Sequence, residues 1–149
     1  MTDTIRLTRD GPIATITLDR PPVNALGAAE LDRLIGLVGE VDADPEIRAA
    51  VLTGAGRCFS AGLDLGQELD AIEAERPGPS SRGVALYQAL TGRRTPWIAA
   101  INGPALGAGL GIAICADVIL ASETATIGLP EIDVGMLGGA RHAMRLLGH

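Results

Sequence analysis

Ile5-Arg6-Leu7 and Ile13-Ala14-Thr15-Ile16-Thr17-Leu18 alternate apolar and polar positions on either side of Asp10-Gly11. A period of two flanking such a pair predicts two strands joined by a hairpin turn. Arg20-Pro21-Pro22 breaks the second strand, and Leu31, Leu34, Ile35, Val38 and Val41 then repeat at the spacing of one helical face before Asp44-Pro45. Ala49-Ala50-Val51-Leu52-Thr53 is short, nearly all apolar and enters Gly54-Ala55-Gly56, as a buried strand of a layered α/β domain does. Residues 68–82 are acidic and then rich in Pro, Gly and Ser, which reads as a mobile surface segment able to serve as a lid. Beyond it the pattern predicts a helix over 84–94, a second buried strand over 97–101, a third over 117–121, a short fourth over 126–128 and a final helix over 140–147. No linker or strict repeat divides the chain, so residues 1–149 read as one α/β domain in which strand, glycine loop and helix recur twice.

Composition narrows the chemistry. Of 149 residues, 47% are hydrophobic and 20% charged, which excludes a disordered chain. No apolar run reaches the ~20 residues that span a bilayer, and Met1-Thr2-Asp3-Thr4 lacks the basic and apolar regions of a signal peptide, so a soluble, cytoplasmic protein is expected. A net charge of -6 repels nucleic acid and anionic lipid, and neither is expected as a partner. All 12 basic residues are arginine, which excludes lysine-based Schiff-base chemistry. Cys58 and Cys115 stand far apart in no CxxC spacing and read as reduced, buried thiols; with only two histidines, no metal set is expected.

Two segments share one design, in which a buried strand ends, small residues follow and a helix begins: Phe59-Ser60-Ala61-Gly62-Leu63-Asp64-Leu65 and Asn102-Gly103-Pro104-Ala105-Leu106-Gly107-Ala108-Gly109. Small side chains expose main-chain N–H groups, and the start of a helix adds its positive end. Facing each other, two such turns form an oxyanion hole for a thioester carbonyl becoming an enolate; alone, each is equally a site of close helix–strand packing. Gly107-Ala108-Gly109-Leu110-Gly111 lacks the GxGxxG spacing of a dinucleotide fold, and Phe59-Ser60-Ala61-Gly62 is not the GxSxG elbow of a serine hydrolase. Asp64 reads as a helix cap. Glu131, in Ile127-Gly128-Leu129-Pro130-Glu131-Ile132, has apolar neighbours that suit a carboxyl trading protons, though an acid after proline is also a common cap.

In combination, the chain resembles the crotonase, or enoyl-CoA hydratase/isomerase, superfamily. The motifs that carry the resemblance are Leu18-Asp19-Arg20-Pro21, Asn24-Ala25-Leu26, the two glycine-bearing segments above, Cys115-Ala116-Asp117 and Leu129-Pro130-Glu131, in the family's order. The resemblance implies a ββα spiral core, acyl-CoA thioester substrates with coenzyme A entering as part of the substrate rather than as a cofactor, and homo-oligomers built as trimers or dimers of trimers. It places the hole's donors at the N–H groups of Leu63 and Ala108 and the acid/base at Glu131. It places substrate contacts at Val23, Ala25, Leu26, Ala61, Gly62, Asp64, Leu65, Gly107, Pro130 and Val134.

Several positions depart from the family's pattern. Its hydratases hold water with two glutamates, and Gly111 stands at the position of the first. That favours isomerase-like proton transfer by Glu131 alone over hydration of an enoyl-CoA, and leaves a catalytically impaired acyl-CoA-binding or assembly protein as the alternative. Gly66 stands where many members carry a lysine, so phosphate contacts fall to Arg20 or Arg57, unless both only pair locally. The segment 134–139 is short, which reshapes the acyl end. Family chains continue for about another hundred residues of mostly helix, so the expectation is a core truncated before the helical trimerisation region, either as a fragment or as a naturally short chain.

Overall fold

The computed structural model of the chain describes residues 4–135. Strands β1 (Ile5–Asp10) and β2 (Ile13–Leu18) form the expected antiparallel hairpin, with Ile5 opposite Leu18 and Asp10 opposite Ile13. The period of two works as the pattern requires, because Ala14, Ile16 and Leu18 point into the core while the residues between them do not. Helix α1 (Ala28–Ala43) buries Leu31, Leu34, Leu37, Val38 and Val41. Its first turn is tied down by Glu30, whose carboxylate accepts from the Gly27 N–H at 3.0 Å and from the Thr4 hydroxyl at 2.9 Å.

Strands β3 (Ala49–Gly54), β4 (Trp97–Ile101) and β6 (Val118–Ala121) add in parallel, giving one sheet in the order β1-β2-β3-β4-β6. Each parallel crossover carries a helix, as the geometry of such connections demands. A second, smaller stack runs beside the sheet. It contains the bridge of Leu26 to Leu63, the bridge of Ser60 to Ala105, and the parallel pair β5 (Ala105–Leu106) and β7 (Ile127–Gly128). Successive turns of the chain are thereby laid against one another, and the two glycine-bearing segments become neighbours.

The segment 68–82 lies at the surface as expected, with residues 72–77 exposed, but its anchoring corrects the sequence reading. Helix α2 (Leu65–Glu73) runs through its first part and α3 (Ser80–Gly92) begins inside its second. Glu68 is buried, accepts from the Ser80 backbone N–H at 2.9 Å and also binds the Ser80 hydroxyl, so an acidic side chain caps α3 from the preceding helix. Ala71, Gly78 and Pro79 are buried with it. Composition misled here because the carboxylate that reads as a surface charge is the cap of the next element.

Helix α3 packs Leu86 and Leu90 inward against α1, and Arg82 pairs with Asp32 of that helix at 2.9 Å. Helix α4 (Ala108–Ile114) is buried from Gly109 onward, beneath α3. A 3₁₀ turn over Pro130–Val134 ends the described part. The expected helix over 140–147 lies outside the described residues. Among those described, no helix is long and apolar enough to cross a membrane.

Candidate active site

The first turn is held from behind by Asn24 and Arg20. Asn24 is buried and donates through its amide to the carbonyls of Cys58 at 2.7 Å and Ala55 at 3.1 Å, which fixes the approach to the turn. The Ser60 hydroxyl donates to the Asn24 carbonyl at 2.8 Å and accepts from the Gly62 N–H at 3.2 Å. It is fully enclosed, so Ser60 braces the turn. Arg20 donates to the Ala25 carbonyl at 3.0 Å and pairs with Asp64 at 2.6 Å. Of the two arginines offered for phosphate contact, Arg20 is therefore committed inside the protein, whereas Arg57 is exposed.

Asp64 caps α2 as its position predicts, accepting from the Gln67 backbone N–H at 3.1 Å. That bond first and the Arg20 guanidinium second hold its carboxyl below the usual carboxylate range. Cys58 and Cys115 are buried, reduced thiols, and burial pushes the Cys58 thiol up, away from thiolate reactivity.

The two turns meet at Gly62. Its φ of +94° lies in a region that L side chains rarely adopt, and a Cβ placed on it would stand 2.8 Å from the Leu106 carbonyl oxygen and 3.2 Å from the Ala108 nitrogen. In the bridge beside it, the Leu26 N–H donates to the Gly62 carbonyl and the Asp64 N–H donates to the Leu26 carbonyl, at 2.8 and 2.9 Å. A parallel bridge of that register turns the N–H of the intervening Leu63 away from Leu26. Ala108 is the first residue of α4, so its N–H precedes the helix's own hydrogen bonds.

Leu63 and Ala108 both line a cavity of about 330 Å³, together with Ala61, Gly62, Leu65 and Gly107. Glu131 enters from the other side on the 3₁₀ turn, flanked by Pro130 and Val134, which also line the cavity. Gly107 has φ +53°, and a Cβ there would lie in ordinary contact, 3.5 Å from Glu131 Oε1, so the carboxylate sits over the turn that carries Ala108. Glu131 Oε2 is buried with no hydrogen-bond partner among the described residues. Glu131 is also the only carboxylate among the lining residues.

The remaining predicted positions stand apart. Leu26 is buried under the first turn, Ala25 gives its carbonyl to Arg20, and Asp64 faces Arg20 and Gln67. Val23 lines a separate groove with Pro22, Arg57, Cys58, Pro104 and Ala61, and Ala61 borders both spaces. The far wall of the cavity is α3, through Ser80, Gly83, Val84 and Tyr87. Sequence reading missed all four. One signal was available: Gly111 inside a buried helix calls for bulky matter against it, and the chain has one Phe, one Trp and one Tyr to supply it.

A family model described as enoyl-CoA hydratase/isomerase matches residues 8–149. A probable enoyl-CoA hydratase of Mycobacterium bovis is 37% identical over 145 residues, covering 97% of this chain and 56% of the relative. A carnitinyl-CoA dehydratase of Salmonella arizonae is 40% identical over 151 residues, covering 98% and 56%. Among solved structures, Pseudomonas aeruginosa DspI superimposes with a TM-score of 0.88 at 34% identity, covering 99% of this chain and 62% of that one. The chain thus spans little more than half the length of the curated relatives it matches, and its described residues take the crotonase-type fold. The chain belongs to the enoyl-CoA hydratase/isomerase family.

Proposed function

We propose that the cavity binds the thioester end of an acyl-CoA, with the thioester oxygen accepting from the N–H groups of Leu63 and Ala108 and Glu131 carrying the proton. The observation that supports this reading most is the unpartnered, buried Glu131 Oε2 beside a turn whose leading N–H is unused by its helix. When a base removes a proton next to a thioester, negative charge gathers on the carbonyl oxygen, and two preorganised donors stabilise it by ~2.7–4 kcal/mol each. A carboxylate at the adjoining carbon then needs only to take and return a proton. Ala61 borders both the cavity and the groove that holds Val23 and exposed Arg57, and that groove suits the phosphate-bearing remainder of coenzyme A.

This machinery supports transfer of a proton between carbons of an enoyl-CoA, and hydration where a second group holds water. Gly111 supports a second reading, an acyl-CoA-binding or assembly protein without turnover. Exposed apolar Val118, Leu120, Ile127 and Ile132 suit burial against a second copy of the chain. The test is incubation of the protein with a panel of enoyl-CoAs followed by mass analysis: hydration adds one water, isomerisation changes structure at constant mass, and the second reading requires binding with neither.

A further inference from the structure

We propose that Tyr87 is a second catalytic side chain of this site, holding the reacting oxygen of a water or β-hydroxyl beside Glu131 and giving the site hydration chemistry despite Gly111. The proposal rests on the reading of Glu131 as the proton carrier. Three polar side chains line the cavity: Ser80, Tyr87 and Glu131. The Ser80 hydroxyl is bound to Glu68. Tyr87 reaches in from α3 and lies against Gly111 of α4. A Cβ on Gly111 would overlap the phenol oxygen and stand 3.0 Å from Cζ. Glycine at 111 therefore opens the volume that the hydroxyl fills. A residue that looks like the loss of a polar group is the seat of another, supplied from a helix 24 positions earlier in the chain.

The electrostatics suit a holding role. Burial, then the neighbouring Cys115 and Glu131, pushes the Tyr87 phenol up to about 12, so it stays neutral at pH 7. Tyr87 and Glu131 line the same cavity, from α3 and from the 3₁₀ turn. A neutral phenol beside a carboxylate is a hydrogen-bonding partner rather than a rival base. One carboxylate can engage only one O–H of a water, leaving the lone pair unaimed; a second polar atom fixes the orientation.

In addition of water to an enoyl-CoA, Glu131 takes one water proton and the oxygen bonds to the β carbon. The π pair moves through the α carbon to the thioester oxygen. Glu131 then returns the same proton to the α carbon as the enolate collapses. The hydrogen left on the oxygen is donated to the Tyr87 hydroxyl oxygen throughout, and Tyr87 keeps its own proton. Elimination is the same path reversed.

The test uses two probes on the full chain. Butyryl-CoA in D₂O reports exchange of α protons, which needs Glu131 and the thioester-binding N–H groups but no reacting oxygen. Crotonyl-CoA reports hydration. The expected result is that Tyr87→Phe lowers the ratio of hydration to exchange at least about tenfold in a protein with unchanged circular dichroism. Gly111→Ala, whose methyl must displace the phenol, should lower the same ratio, and the double variant should be little worse than either single one. A folded Tyr87→Phe protein whose ratio stays within about twofold of the parent overturns the proposal, as does a parent that exchanges butyryl-CoA without hydrating crotonyl-CoA. A parent that does neither overturns the reading of Glu131 and this proposal together.

Discussion

Gly62→Ala is the smallest change that separates the two turns. The added methyl meets the Leu106 carbonyl oxygen at 2.8 Å and the Ala108 nitrogen at 3.2 Å, against an ordinary contact near 3.4 Å or more. One turn must therefore move by about half an ångström relative to the other, and both contacts are backbone, which cannot rotate aside as a side chain can. A φ of +94° adds strain of ~1–3 kcal/mol for any residue with a Cβ. The displacement falls between Leu63 and Ala108, whose N–H groups must converge on one oxygen. Losing the alignment of one donor is worth ~2.7–4 kcal/mol in the transition state, or about 10²–10³ in rate. Butyryl-CoA α-proton exchange in D₂O should fall by that factor, while thermal unfolding shows a stable protein with a lowered midpoint. A folded Gly62→Ala protein exchanging at the parental rate would refute the placement of the thioester oxygen between these turns.

Two further outcomes are expected. Ala108→Pro deletes an N–H outright at the first helical position, where proline is otherwise tolerated, so it should abolish exchange while the sheet's circular dichroism persists; parental rates would put the carbonyl elsewhere. Asp64 and Asp42 should make the fold acid-sensitive: the backbone N–H of Gln67 and then Arg20 hold Asp64 low, and the backbone N–H of Thr95 first, with Arg94, holds Asp42 low. Because these carboxyls bind protons less readily folded than unfolded, their stabilisation is present above the unfolded value of about 4 and is lost as pH falls through their folded values. Asp64→Asn should therefore shrink the drop in melting temperature between pH 6 and pH 3, and an unchanged drop would contradict the assignment.

Much of this architecture was legible because it is local. The hairpin follows from alternation at 13–18, α1 from its apolar face, and the Asp64 cap from an acid at a helix start. The glycines at 62 and 107 announced two turns, though their contact could be seen only in space. Misreadings arose where distant residues decide the outcome. Glu68 looks like surface charge until Ser80 folds back onto it, and Arg20 stays open between phosphate contact and local pairing until the fold sets Glu30 and Asp64 beside it. Tyr87 was invisible to motif reading because its meaning lies in Gly111, on another helix. Spacing along a chain records what one element does, and a cavity wall is made by several.

The central claim is that Glu131 is the proton carrier, and its most direct test is α-proton exchange of butyryl-CoA in D₂O by the parent protein and by Glu131→Gln. The amide keeps the size of the side chain and removes the titrating group. The account predicts that exchange falls by about 10²-fold or more while butyryl-CoA binding, measured by calorimetry, is retained. Exchange at the parental rate in a Glu131→Gln protein would contradict it.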